Sequence, residues 1–250
     1  MSALYDALAR TKQSETLSEL IEPSSKPKDD PILGAQPEIV YRWNTFVKKH
    51  GTLIEKVMTD VIQHAPGWQP QGQTPFNFPE DITKHLIDRI AINRANKVVL
   101  FIECKRNLGN VDSKGQKKII AYDEWCQKHS KDIASKLKFP ASGALVRFAV
   151  FNAHGKTTDK NNIKGIPVLM PEDLPKIFDL SVYRTFLKLH AKVRSAVSER
   201  EDLWPCLPNA EFRGEISIQS EASQPDHNED PEEFRRRINL TLNELMCPKG

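Results

Sequence analysis

The sequence predicts an α/β domain in which a central mixed sheet is flanked by helices. Two apolar segments separated by a short polar loop, residues 85–92 and 98–105, are typical of neighbouring strands of a hairpin. A basic segment with helical spacing follows them, and a further apolar strand is expected at residues 144–151. Because helices and strands alternate along the chain, we expect their apolar faces to pack together in layers.

The N-terminal part of the chain is predicted to be helical on both sides of a linker. Residues 2–22 place apolar side chains at helical spacing, and four prolines within residues 23–37 indicate the linker. A long helix is expected from about Glu38 to Ala65, interrupted or capped near Gly51, and the Pro-Gly pair that follows should end it. We therefore expect the folded domain to begin with this long helix.

The central strands are predicted most clearly. Residues 98–105 form a run that is apolar on both faces until its end, which is typical of a strand covered on both sides. The five residues 93–97 suit a hairpin loop to the strand at 85–92, and residues 68–81 are expected to hold one irregular strand. Together these segments predict three strands in the first half of the sheet.

The second half of the domain is expected to add helices and further strands. Helices are predicted at residues 116–129, 172–178 and 182–198, and a short strand at residues 166–170. With the strand at 144–151, the order is helix, strands, helix, strand, strand, helix. This order favours a layered α/β domain.

The C-terminal part is predicted to differ in composition from the rest. Residues 214–232 are polar and acidic, which is typical of disorder, and a last helix is expected at about residues 231–246 with a proline in its first turn. The predicted organisation is an N-terminal helix and linker at 1–37, the main domain at 38–200, and an acidic tail with a terminal helix at 201–250.

Charge and composition restrict the class of protein. The net charge of +3 conceals an asymmetry, because residues 93–138 hold eleven Lys and Arg against five Asp and Glu, a balance of +6. Residues 201–250 hold five Lys and Arg against eleven Asp and Glu, a balance of −6. A basic segment suits a polyanion such as nucleic acid, and a solvated helix face is the alternative. No apolar run approaches about 18 residues, and the four scattered cysteines favour a reduced, cytoplasmic protein without a membrane span.

Three charged residues stand where apolar strands are predicted. Glu103 and Lys105 are two apart on one strand, so their side chains share a face, and Asp88 lies on the neighbouring strand. If the two strands pair, the two carboxylates repel each other unless a divalent cation lies between them, and Mg²⁺ prefers such oxygen ligands. A lysine beside them can hold or deprotonate a water molecule, or stabilise charge on a phosphate. The alternative is an exposed strand end and a surface turn.

These residues resemble the motif of the PD-(D/E)XK nuclease superfamily, the fold of type II restriction endonucleases. Ile87-Asp88 followed by Ile102-Glu103-Cys104-Lys105 carries the resemblance, with Ile87 in place of the motif's proline. It covers roughly residues 43–170. It implies a restriction-endonuclease-like three-layer core and a Mg²⁺-dependent endonuclease that hydrolyses DNA phosphodiester bonds. Mn²⁺ is expected to substitute for Mg²⁺, and a homodimer is expected because duplex cleavage needs two sites.

The resemblance also assigns roles to residues. It implies that Asp88 and Glu103 are metal ligands, that Lys105 positions water, and that Glu55 of the preceding helix is a further ligand. Gln116, at the start of the following helix, matches a supporting glutamine of some members. Outside the resemblance, the basic segment offers candidate phosphate contacts, namely Lys114, Lys117 and Lys118.

Two other functions remain open from the sequence. A repair, phage or mobile-element nuclease would share the same core with a type II restriction endonuclease. A non-catalytic nucleic-acid-binding or assembly module could retain the fold, although such modules usually lose one of the three charged residues. The recognised bases, and DNA as against RNA, are not marked by the sequence.

Overall fold

The computed structural model describes five main stretches of the chain. They are residues 51–71 (without 53, 56, 57, 60 and 64), 87–139, 143–153, 163 with 165–178, and 229–246. The backbones of residues 29–30 and 34–35 are described as well. The predicted helices at 2–22 and 182–198, and most of the predicted acidic segment at 214–232, lie outside these residues.

The chain divides into two compact units. One unit comprises residues 1–53 and 187–223, and the other comprises residues 54–186 and 224–250. In the first unit, strands β1 (Asp29–Asp30) and β2 (Gly34–Ala35) pair antiparallel, within the segment predicted as a linker. The second unit contains the sheet described below.

Five strands form a mixed sheet in the order β3-β4-β5-β6-β7. The first two pairings are antiparallel and the last two are parallel. The strands are β3 (Trp68–Gln71), β4 (Arg89–Asn93), β5 (Val98–Lys105), β6 (Leu145–Asn152) and β7 (Val168–Leu169). The α/β class and the mixed sheet are thus confirmed.

Strand β5 lies at the centre of the sheet. Its bounds are those predicted from its apolar run, and each of its residues before Lys105 is buried. Residues 94–97 form the turn from β4, with Lys97 at a φ of 55° and the Asn96 N–H donating to Asn93 Oδ1 at 3.0 Å. The central position of β5 places its polar C-terminal end beside the ends of β4 and β6.

One face of the sheet is covered by helices α2 (Ser113–Lys128) and α3 (Ser130–Lys136). The side chains that pack between these helices and the sheet are mainly aliphatic and aromatic. They include Ile90, Phe101, Ile119, Tyr122, Trp125, Ile133, Phe148 and Val150. Alternation along the strands puts residues 99, 101, 103 and 105 of β5 on this face.

Helix α5 (Pro231–Glu244) lies on the other face, and Arg89 of β4 contacts Glu55 of the helix that precedes the sheet, α1. Helix α1 comprises the described helical positions between residues 51 and 63, and it ends where residues 66–67 form a turn, as predicted. Arg147 of β6 donates to Asn243 of α5 at 3.1 Å, which places α5 on the face opposite α2. Helices therefore flank the sheet on both sides.

The structure differs from the sequence predictions at several boundaries. The strand predicted at 85–92 begins only at Arg89, so the prediction that Asp88 lies within it was wrong. Helix α2 begins at Ser113 rather than Gln116 because Asp112 caps it, its Oδ1 accepting from the Gly115 N–H at 2.7 Å. The segment predicted as one helix at 172–178 is a 3₁₀ turn (Pro171–Asp173) followed by α4 (Leu174–Ile177).

The terminal helix α5 was predicted correctly and packs onto the main unit. Phe234, Ile238 and Leu242 are buried along one side of it. The helix begins with Pro231 in its first turn, as expected, and the Leu245 carbonyl accepts from the Val168 N–H at 3.3 Å. Among the helices that the structure describes, none is long and apolar enough to cross a membrane.

Candidate functional site

The site is built around Glu103, a carboxylate buried beside the C-terminal end of β5. Only 2% of its side chain is exposed, and Lys105 Nζ donates to its Oε1 at 2.7 Å. Its other oxygen, Oε2, is buried and has no hydrogen-bond partner among the residues that the structure describes. A buried charge is costly unless it is fully paired, so this oxygen is a candidate ligand for a cation.

Asp88 lies immediately before β4 and reaches the same end of β5. Arg89 pairs with Ile102, so one step further along the same register lies Asp88 opposite Glu103. The Cys104 N–H donates to Asp88 Oδ2 at 2.8 Å, which holds the carboxylate against the end of β5. The antiparallel pairing thus brings together two acids that are far apart in sequence.

The electrostatics of Asp88 show how closely the acids approach one another. Burial, together with the negative charges of Glu103 and Glu55, raises the pKa of Asp88 to about 7, although Lys105 and the Cys104 N–H oppose this rise. Both burial and nearby negative charge disfavour the ionised form of a carboxyl group.

The site stabilises the charged form of Lys105, whereas it destabilises the charged form of Asp88. Burial lowers its pKa, but the charge of Glu103 and the hydrogen bond to it outweigh burial, so that the pKa of Lys105 lies above its ordinary value. Its side chain is 28% exposed. Lys105 therefore remains a charged hydrogen-bond donor that solvent can reach.

Glu55 joins the site from helix α1. Arg89 Nε donates to the Glu55 carbonyl at 2.8 Å, and its Nη1 lies 3.5 Å from Glu55 Oε2. Burial raises the pKa of Glu55, Arg89 opposes the rise, and Glu103 adds to it. Arg89 thus links the helix to the start of β4, next to Asp88.

Helix α2 contributes a second cation. Lys118 Nζ lies 4.0 Å from Glu103 Oε1, the oxygen that Lys105 also contacts, and 5.2 Å from the centroid of the Tyr122 ring. Tyr122 is fully buried, and burial together with the charges of Glu103 and Asp88 raises its pKa. The helix face that meets the site is therefore cationic and aromatic.

The remaining predicted site residues lie elsewhere. Gln116 Nε2 donates to the Val111 carbonyl at 3.0 Å, so this side chain closes the loop before α2. Among the described hydrogen bonds and ion pairs, none joins Gln116 to Asp88, Glu103 or Lys105. Lys114 and Lys117 are exposed on α2.

Asn152 supports the same end of the sheet from β6. It pairs in register with Lys105, is fully buried, and its Oδ1 accepts from the Leu108 N–H at 3.0 Å. This bond fixes the loop that leads from β5 to α2. Its Nδ2 is buried without a hydrogen-bond partner, like Glu103 Oε2.

The donor set fits a divalent cation in part. Among the described residues, no group of three or more His, Cys, Asp or Glu side chains is arranged to hold a metal ion. The negative charge of Glu103 nevertheless contributes to the raised pKa of Asp88, and Glu103 Oε2 is buried without a hydrogen-bond partner among the described residues. Two carboxylates with solvent on one side are sufficient for Mg²⁺, which retains several water ligands.

Comparison with known proteins identifies no relative. No protein-family model, curated protein or solved structure matches this chain.

Sequence reasoning missed Arg89, Tyr122 and the contact of Lys118 with Glu103. Lys118 and Tyr122 are four residues apart on a helix and therefore share a face, which is a signal that the sequence contains. The contact of Arg89 with Glu55 joins residues that are 34 positions apart, and no spacing predicts it. The two free thiols that the structure describes, Cys104 and Cys126, are buried, and burial raises the pKa of both.

Proposed function

We propose that this chain is a Mg²⁺-dependent endonuclease that cleaves phosphodiester bonds of duplex DNA on a restriction-endonuclease-like core. The observation that carries the proposal is the buried Glu103, with one oxygen unpaired, beside Asp88 and Lys105 at one end of the sheet. The order of elements, helix α1, strands β3 to β5, helix α2 and strand β6, supports the same fold. A type II restriction endonuclease is the form we favour, and a repair, phage or mobile-element nuclease is the nearest alternative.

Asp88 and Glu103 would hold the cation, with Glu55 nearby on α1. When bound, Mg²⁺ supplies a Lewis acid and lowers the pKa of a bound water. A cation between the acids also removes the repulsion that raises the pKa of Asp88, so the carboxylates and the ion stabilise each other.

Lys105 would position the attacking water and the scissile phosphate. Because Glu103 raises its pKa, Lys105 keeps its proton at neutral pH and serves as a donor of hydrogen bonds and charge. It is therefore better suited to orient water and to stabilise the phosphate than to act as a general base.

The basic first half of helix α2, within the basic segment at residues 93–138, would face the DNA. The exposed Lys114 and Lys117 lie on α2, the helix that also carries Lys118 beside the site. Phosphate contacts from such residues strengthen binding without selecting a sequence. The proposed substrate surface therefore adjoins the proposed site.

Incubation with plasmid DNA tests the proposal. Wild-type protein with Mg²⁺ or Mn²⁺ should convert supercoiled plasmid to nicked and linear forms that carry 5′-phosphates and 3′-hydroxyls. Glu103→Gln is the matched control, because the amide retains an acceptor for Lys105 but removes the charge that a cation needs. Wild-type protein that leaves both DNA and RNA intact with either ion would refute the nuclease function.

A second function is favoured by one observation. Glu103 Oε1 already has two ammonium groups beside it, at 2.7 and 4.0 Å, so part of its charge is compensated without a metal ion. A non-catalytic nucleic-acid-binding or assembly module would retain these ion pairs for a structural role alone. DNA binding without cleavage in the plasmid experiment would support that module.

A further inference from the structure

Two lysines share one oxygen of Glu103, but they hold it unequally. Lys105 Nζ is at hydrogen-bonding distance, 2.7 Å, whereas Lys118 Nζ is 4.0 Å away. The two side chains come from different elements, β5 and α2, and are exposed to the same extent, 28% and 29%. Lys118 is therefore the cation that is more weakly held, and it is open to solvent.

We infer that Lys118 pairs with Glu103 in the free protein and binds a phosphate oxygen of the substrate once a divalent cation neutralises that carboxylate. This inference rests on the proposed function and names a further substrate-binding residue of the site. Glu103, whose Oε2 has no partner among the described residues, would be neutralised in part when it holds a cation, and its longer ion pair, to Lys118, would be the first to lose its attraction. The released ammonium is then free for an incoming anion.

The surroundings of Lys118 suit this exchange. The Tyr122 ring lies beneath its ammonium group, 5.2 Å from the ring centroid, so the cation keeps a favourable contact when Glu103 releases it. The lysine stem is long and flexible, and its ammonium is a compact charge that binds phosphate oxygens. A short movement of the Lys118 ammonium group away from Glu103 would therefore let it bind a phosphate oxygen of a substrate that also contacts Lys105.

Mn²⁺ binding without DNA tests the first half of the inference. Lys118→Gln removes a cation that repels the metal ion, so Mn²⁺ should bind roughly three- to tenfold more tightly, as measured by electron paramagnetic resonance of the free ion. Lys128→Gln is the control, because it removes the same charge from an exposed position in the last turn of α2. Its Mn²⁺ affinity should equal that of the wild type.

Cleavage by excess enzyme tests the second half. Lys118→Gln should slow single-turnover cleavage of duplex DNA by about 10- to 100-fold despite its tighter metal binding, because a contact to the reacting phosphate is lost. Lys118→Arg, which keeps the charge, should restore part of the rate and confirms that loss of folding is not the cause.

The outcomes separate the inference from the function. Cleavage by the wild type, with Lys118→Gln equal to Lys128→Gln in both assays, would overturn the inference and leave the nuclease function in place. A wild type that binds Mn²⁺ but cleaves no nucleic acid would overturn the function and, with it, the substrate contact. Tighter Mn²⁺ binding together with slower cleavage in Lys118→Gln alone is the expected result.

Discussion

At the scale of single residues, one property dominates the site: three carboxylates lie close together, and the negative charges of Glu103 and Glu55 add to burial in raising the pKa of Asp88. Glu103 is almost fully buried, Glu55 and Asp88 have raised pKa values, and Lys105 retains its proton more firmly than usual. Ordinary structural sites avoid such crowding because each buried charge costs several kcal/mol (on the order of 2–7 even for a polar group). This crowding supports the proposed divalent cation.

Asp88→Asn tests this crowding through the pH dependence of stability. The pKa of Asp88 is about 7 in the folded protein against 3.8 ordinarily, so the stability that its protonated form contributes is present at low pH and is lost as the pH rises towards 7. The asparagine keeps an acceptor for the Cys104 N–H but cannot ionise. It should therefore exceed the wild type in stability by roughly 2–4 kcal/mol at about pH 8 and by much less at about pH 5.

Urea denaturation in the presence of a chelator measures this difference at the two pH values. Mg²⁺ should restore the stability of the wild type at high pH and leave the stability of the variant unchanged, because the ion binds the ionised carboxylate. A difference in stability between the two proteins that stays constant across this pH range would show that ionisation of Asp88 does not destabilise the fold.

At the scale of elements, the local sequence pattern predicts those strands and helices that depend on residues close together in the chain. Strand β5 was predicted with its observed bounds because its apolar run is continuous, and α5 because Pro231 and its apolar spacing mark it. Helix α3 (Ser130–Lys136) was missed because it is short and most of its residues are polar. The sequence named Asp88, Glu103 and Lys105 by their spacing and Lys118 only as a candidate phosphate contact. It did not predict that Arg89 contacts Glu55 or that Lys118 contacts Glu103, because these contacts join different elements.

Asp112→Ala tests how helix α2 is held at its start. The Asp112 side chain accepts from the Gly115 N–H, and removing that acceptor should cost about 1 kcal/mol of unfolding free energy. Asp112→Asn is the matched control, because an amide oxygen can accept the same hydrogen bond. Chemical denaturation of both variants gives the values, and an alanine variant as stable as the asparagine variant would mean that this cap does not stabilise the helix.

At the scale of the whole molecule, the fold places the candidate site at one end of the central sheet. The parallel pairing of β5 with β6 brings Asn152 beside Lys105, and the antiparallel pairing of β4 with β5 brings Asp88 beside Glu103. The C-terminal helix α5, predicted as part of an acidic tail, lies in the same compact unit as the sheet. The described end of the chain thus contributes to the core of the main unit.

Ile238→Ala tests the contribution of α5 to the core. Ile238 is fully buried, and its truncation should cost about 2–4 kcal/mol of unfolding free energy. Leu240→Ala is the matched control on the same helix, because Leu240 is 53% exposed and its truncation should change stability by less than about 0.5 kcal/mol. Thermal and urea unfolding measure both, and equal small effects would indicate that α5 is not part of the cooperative unit.

Single-turnover cleavage by Lys105→Ala is the most direct test of the proposed active site. The alanine variant should lose at least about 100-fold in rate while it retains Mn²⁺ and DNA binding, because the lysine acts on water and phosphate rather than on the ion. Lys131→Ala, exposed on α3, is the control for loss of one positive charge and should cleave like the wild type. Wild-type cleavage that survives intact in Lys105→Ala would contradict the role of this residue and the nuclease site built around it.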